Sequence, residues 1–147
     1  RGPKNRNLKE MRTYNGYPIE HMPEEAEKYI IPVYKDKLIC NCSFYGTLYA
    51  ILKLQARHIV YCGLDFYSNI QIDKKWYINP PAYLTAPWWD LRVKYEGEHM
   101  KILWDDYLCK YFPDKKFEFY TTADLNFKSK NIIYNKVSPL KPNKTYY

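Results

Sequence analysis

Residues 57–67 read "RHIVYCGLDFY", a short run of β-branched and aromatic residues that stops at Gly63 and passes at once into Asp65, Phe66 and Tyr67. The run is too short for an ordinary helix and nearly continuous in apolar character, which predicts a strand covered on both faces. Strands of that kind belong to parallel sheets, and parallel neighbours need a crossover, usually a helix, between them. The flanking sequence offers such helices on both sides.

Upstream, Ser43 is a good N-cap for "FYGTLYAILKLQA", in which Phe44, Leu48, Ile51 and Leu52 share one stripe. Gly46 weakens the first turn and leaves room for close packing or for a ligand. "KLICNC", residues 37–42, reads as a short buried strand before it. "YIIPVYK" reads as extended, because Pro32 excludes a helix interior and restricts Ile31 to extended conformations. "EEAEKY" has the composition of a single helical turn.

Downstream, Met100, Leu103, Trp104, Tyr107, Leu108 and Tyr111 fall on one helical face, and Pro113 ends the pattern. Asp105 and Asp106 are expected on the opposite, solvent-facing side. "KKFEFYTT" follows as a strand with Phe117 and Phe119 on one face, and "NIIYNKV" as a shorter last strand.

Residues 68–96 carry no clear period but hold Pro80, Pro81, Pro87 and the pair Trp88–Trp89, the character of a lid or binding loop. The expected fold is therefore α/β: a three-layer arrangement with a mainly parallel, incomplete sheet and a small lid insert. The expected organisation is a single domain, residues 1–147. Within it, 1–23 form an irregular lead-in, 24–67 and 97–135 the α/β core, 68–96 the lid insert and 136–147 a tail.

In such a sheet, ligands bind where strands end and helices begin. Ser43, Asp65, Tyr67 and His99 are all expected at that edge. An imidazole beside the positive end of a helix is disfavoured as imidazolium, so His99 is a candidate general base. Ser43 and its neighbouring amides suit a phosphate or carboxylate, and the Tyr67 hydroxyl suits an oxyanion. Trp88 and Trp89 suit stacking on a sugar or base. Each also has a plainer reading, as cap, loop brace or packing residue. His58 is expected at a strand start facing solvent, and neither it nor His21 is assigned a role.

The net charge of +7 favours anionic partners such as nucleotides, nucleic acid, acidic glycans or an anionic membrane face. The basic residues are densest at the two ends, as in solvated tails. Cys40, Cys42, Cys62 and Cys109 show no zinc-ligand spacing and read as reduced, mostly small core residues of an intracellular, cytoplasmic protein. No metal site, Gly-rich phosphate loop, GxSxG or HExxH is evident. No signal peptide and no apolar run of membrane-spanning length is visible.

"SFYGTLYAILKLQARHIVYCGLDFY", the aromatic insert, and "YEGEHMKILWDDYLCKYFPDKKFEFYTT" together resemble the carboxyl-terminal half of the bacterial lipooligosaccharide sialyltransferases and related glycosyltransferase-like proteins. The likeness covers roughly residues 33–125. It implies a nucleotide-binding Rossmann-like core with a small lid, working on a nucleotide-sugar donor such as CMP-sialic acid and a glycan acceptor, without a metal or other cofactor. It also implies His99 as the base that deprotonates the acceptor, Tyr67 as donor to the leaving phosphate, and Ser43 and Asp65 at the donor. The family's second lid tyrosine falls here on Asp73, so Trp76 or Tyr77 takes its place, with Tyr77 toward the donor and Trp76, Trp88 and Trp89 toward the acceptor or lid. The family's Gly–His pair reads Gly97, Glu98, His99 in this chain.

The first functional expectation is thus a sialyltransferase-like glycosyltransferase domain, with peripheral membrane association and a homo-oligomer as further expectations and nucleic acid not expected as a partner. The second is a non-catalytic nucleotide- or glycan-binding module, a truncated relative. A basic nucleic-acid-associated protein comes third, on charge alone.

Overall fold

The computed structural model describes residues 13–14, 17–18, 22–38, 40–66 and 97–138. The chain divides into two compact units, Arg1–Arg57 and His58–Tyr147.

In the first unit, β1 (Thr13–Tyr14) and β2 (Tyr17–Pro18) form an antiparallel pair within the expected irregular lead-in. A 3-10 turn, Glu24–Ala26, then runs into α1, Glu27–Lys35. The expectation of an extended "YIIPVYK" is wrong: Pro32 lies inside α1. Met22, Ala26, Ile30 and Val33 are all buried and recur at helical spacing, so tertiary burial outweighs the local penalty. The ring leaves the Lys28 carbonyl without its usual partner, and Lys28 is on the exposed side of the helix, where water can serve it.

The second helix, α2, spans Cys42–Leu52. "KLICNC" is therefore not a strand; residues 38, 40 and 41 are irregular and Cys42 is already helical. Nor is Ser43 the N-cap. Asn41 caps the helix, its Oδ1 accepting from the Phe44 N–H at 2.9 Å. Asn is as good a cap as Ser, and the choice between them depends on which residue leaves the helix, not on preference alone. Phe44, Thr47, Leu48 and Ile51 form the buried face. The Tyr34 and Tyr45 hydroxyls meet at 2.9 Å and tie α1 to α2.

The second unit holds a three-stranded sheet in the order β3 (His58–Cys62), β4 (Lys116–Thr121), β5 (Ile132–Lys136). Both pairings are parallel, with Ile59 opposite Phe117 and Phe119 opposite Tyr134. The protein thus has helices and a small parallel sheet, a mixed α/β fold. The strand β3 is not covered on both faces: among the described strands it lies at the sheet's edge, and it alternates half-buried Ile59 and Tyr61 with exposed His58, Val60 and Cys62.

The crossover from β3 to β4 contains α3, helical over residues 97–111. Within it Leu103–Leu108 is π-helical, and the Cys109 N–H bonds the Trp104 carbonyl, five residues back. A π-turn inserts one residue into the helical repeat. The buried set becomes Met100, Leu103, Trp104, Asp105, Leu108 and Cys109, while Tyr107 and Tyr111 are only half-buried. Asp105, expected in solvent, is therefore buried, and only Asp106 is exposed.

From β4 to β5 the crossover is residues 122–131, with no helix. It is held by side chains instead. Asp105 accepts the backbone N–H of Lys128 at 3.0 and 3.1 Å and that of Ser129 at 3.1 Å. The Tyr134 hydroxyl donates to the Ala123 carbonyl. On the covered face of the sheet an aromatic cluster forms the core: Phe119 stacks between Tyr61 at 4.6 Å and Phe127 at 4.9 Å, and Trp104 meets Tyr61 and Phe66 edge-on.

Among the cysteines, only Cys109 is buried; Cys40 is half-buried, and Cys42 and Cys62 are exposed, against the expectation of mostly core positions.

Candidate functional site

The carboxyl end of β3 leads into a turn, residues 63–66, built on two left-handed residues. Gly63 has φ 77° and Phe66 has φ 53°. Glycine takes that conformation freely, whereas a bulky aromatic adopts it only when its surroundings impose it. Here the surroundings are the core: the Phe66 ring is buried against Trp104, Phe119 and Phe127. Burying that ring turns the chain at the end of β3 and leaves Asp65 half-buried beside it.

The described part of α3 meets this turn at Gly97. A Cβ built there would lie 2.7 Å from the Phe66 carbonyl oxygen, so only glycine lets the two backbones approach this closely. His99 follows two residues later, half-buried, with its Nδ1 out of water and without a hydrogen-bond partner among the described residues. The Trp104 Nε1 is likewise buried and unpartnered among them. Such orphaned atoms each cost on the order of 1–3 kcal/mol and are uncommon in folded proteins.

Of the expected site residues, Asp65 and His99 are brought to one end of the sheet through this contact. Ser43 lies in the first turn of α2, in the other compact unit, and its carbonyl accepts the Thr47 hydroxyl at 2.8 Å. Tyr67, Trp76, Tyr77, Trp88 and Trp89 lie outside the described residues. Gly46 makes no close approach: a Cβ there would meet nothing within 4 Å.

A second polar group, unassigned from sequence, crosses the other face of the sheet. The Glu118 carboxylate accepts from the Tyr120 hydroxyl at 2.8 Å and from Asn135 Nδ2 at 3.2 Å, and it meets His58 Nε2 at 2.9 Å. These hydrogen bonds, Tyr120 first, hold its carboxyl below the ordinary carboxylate range. His58 and Glu118 lie 60 residues apart, so only the strand register reveals the group. Both of its oxygens are engaged by side chains from all three strands, which marks it as a brace across the sheet. Among the described residues no cluster of His, Cys, Asp or Glu has the makings of a metal site, and no helix is long and apolar enough to cross a membrane.

No family model, curated protein or solved structure matches this chain.

Proposed function

We propose that the protein is a glycosyltransferase-like domain with a Rossmann-like core, related to the sialyltransferases its sequence resembles. In this reading His99 takes the proton from an acceptor hydroxyl as that oxygen attacks the anomeric carbon of a nucleotide-sugar. The bond from that carbon to the donor phosphate breaks through an oxocarbenium-like transition state. The electron pair leaves on the phosphate oxygen, which Tyr67 stabilises by hydrogen bonding. Asp65 and Tyr77 serve the donor, and Trp76, Trp88 and Trp89 the acceptor or lid. CMP-sialic acid is the first donor to try.

The observation that carries this reading is the packing of Gly97 against the Phe66 carbonyl, two residues before His99. It brings a histidine, whose buried Nδ1 has no hydrogen-bond partner among the described residues, near the end of a parallel strand, where α/β sheets take their ligands.

The test is transfer from labelled nucleotide-sugars, CMP-sialic acid among them, to a panel of oligosaccharide acceptors. His99→Gln is expected to slow transfer by about 100-fold or more with folding intact. Tyr67→Phe is expected to lower the rate more than it weakens donor binding. Unchanged transfer in His99→Gln would refute the assignment. Donor binding by the unsubstituted chain with no turnover on any acceptor would point instead to a binding module.

A further inference from the structure

Glycine is a poor helix former because it surrenders the most backbone freedom on folding. The described helices contain two, and their surroundings differ. Beside Gly46 there is open space for a side chain, while at Gly97 a Cβ would sit 2.7 Å from the Phe66 carbonyl oxygen and 3.7 Å from its carbonyl carbon. No side-chain rotation relieves a clash with a backbone carbonyl, so one of the two backbones would have to move. The Phe66 side cannot yield easily. Its φ of 53° is already unfavourable for an aromatic residue, and its ring is fixed 5.4 Å from Trp104 and 5.8 Å from both Phe119 and Phe127. The helix, which carries His99 two residues on, is the part that would shift.

We propose that Gly97 is a positioning residue: it lets α3 run against the turn at the end of β3 and so fixes the standing distance of the His99 imidazole from that turn. The catalytic consequence rests on reading His99 as a base; the placement itself does not. A displacement of about 1 Å in a reacting group costs on the order of 100-fold in rate, so a shift of part of that distance is measurable.

Gly97→Ala and Gly46→Ala make a matched pair in the full chain. In Gly97→Ala the His99 ring cross-peak, identified among the three histidines by its loss in His99→Gln, is expected to move. Transfer kcat is expected to fall about tenfold while donor KM stays within about twofold. Gly46→Ala is expected to change none of these. An unmoved ring signal in a folded Gly97→Ala overturns the proposal. Should that variant fail to fold, nuclear Overhauser contacts between the Gly97 α protons and Phe66 in the unsubstituted chain decide it: present, they support the packing; absent, they overturn it. If the unsubstituted chain transfers no sugar, the glycosyltransferase reading falls and the ring signal alone decides the role of Gly97.

Discussion

The Asp105 carboxylate receives the backbone N–H groups of Lys128 and Ser129, and the Ser129 hydroxyl returns to the Asp105 carbonyl at 3.2 Å. A carboxylate serving part-buried loop amides in this way does for the loop what an N-cap does for a helix. Its neighbour Cys109 feels the same surroundings: burial pushes its thiol up to about 11, and the Ser129 and Asn131 contacts only partly offset that. Asp105→Ala strips the amides of their acceptor and is expected to cost about 3 kcal/mol in urea unfolding. Asp105→Asn keeps one acceptor oxygen and is expected to cost about half as much. Equal stability of all three proteins would remove the brace. From the sequence, two adjacent aspartates on the polar side of a helical wheel looked alike. The π-turn separates them, and no pattern of residue types announces a π-turn.

Among the elements, α2, β3, β4, β5 and most of α3 were legible in the sequence, because periodicity and β-branched content agreed there with the final packing. Helix α1 was not, since Pro32 and the apolar spacing of Ala26, Ile30 and Val33 pointed opposite ways and burial prevailed. The proline still leaves its mark. Pro32→Ala restores an N–H to the helix and is expected to raise stability by about 2 kcal/mol, the helix-interior penalty less the stiffness lost from the unfolded chain. A loss of stability on thermal unfolding would show that the ring itself packs usefully. The position of residues 63–66 marks a ligand edge in the sequence, but residue types alone do not show the turn's inner face: Phe66 belongs to the core, and its strained backbone follows from that.

For the molecule as a whole, the sheet presents two unlike faces. One carries Phe117, Phe119 and Thr121 into the core; the other leaves Val60 at 51 %, Tyr120 at 39 % and Ile133 at 36 % exposed around the Glu118 group. Apolar residues that remain in contact with water contribute little to stability. Val60→Thr and Ile133→Thr are expected to change unfolding free energy by less than about 0.5 kcal/mol. Phe119→Ala, which empties the centre of the aromatic cluster, is expected to cost about 4 kcal/mol. Comparable losses at both kinds of position would mean that the open face is covered in solution. The same two-sidedness explains why β3 misled: its run of Ile, Val and Tyr reads as fully buried, and its place at the edge depends on partners more than 50 residues away.

Local chemistry in the chain decided where α2, β3, β4, β5 and most of α3 form, because side-chain spacing and backbone preference act over a few neighbouring residues. It also marked His99 and Asp65 as residues to watch. That Gly97 touches Phe66, that Asp105 turns inward and that Glu118 gathers His58, Tyr120 and Asn135 was decided only by tertiary structure. Each depends on strand register and helix phase, and these are set by which distant surfaces pack together.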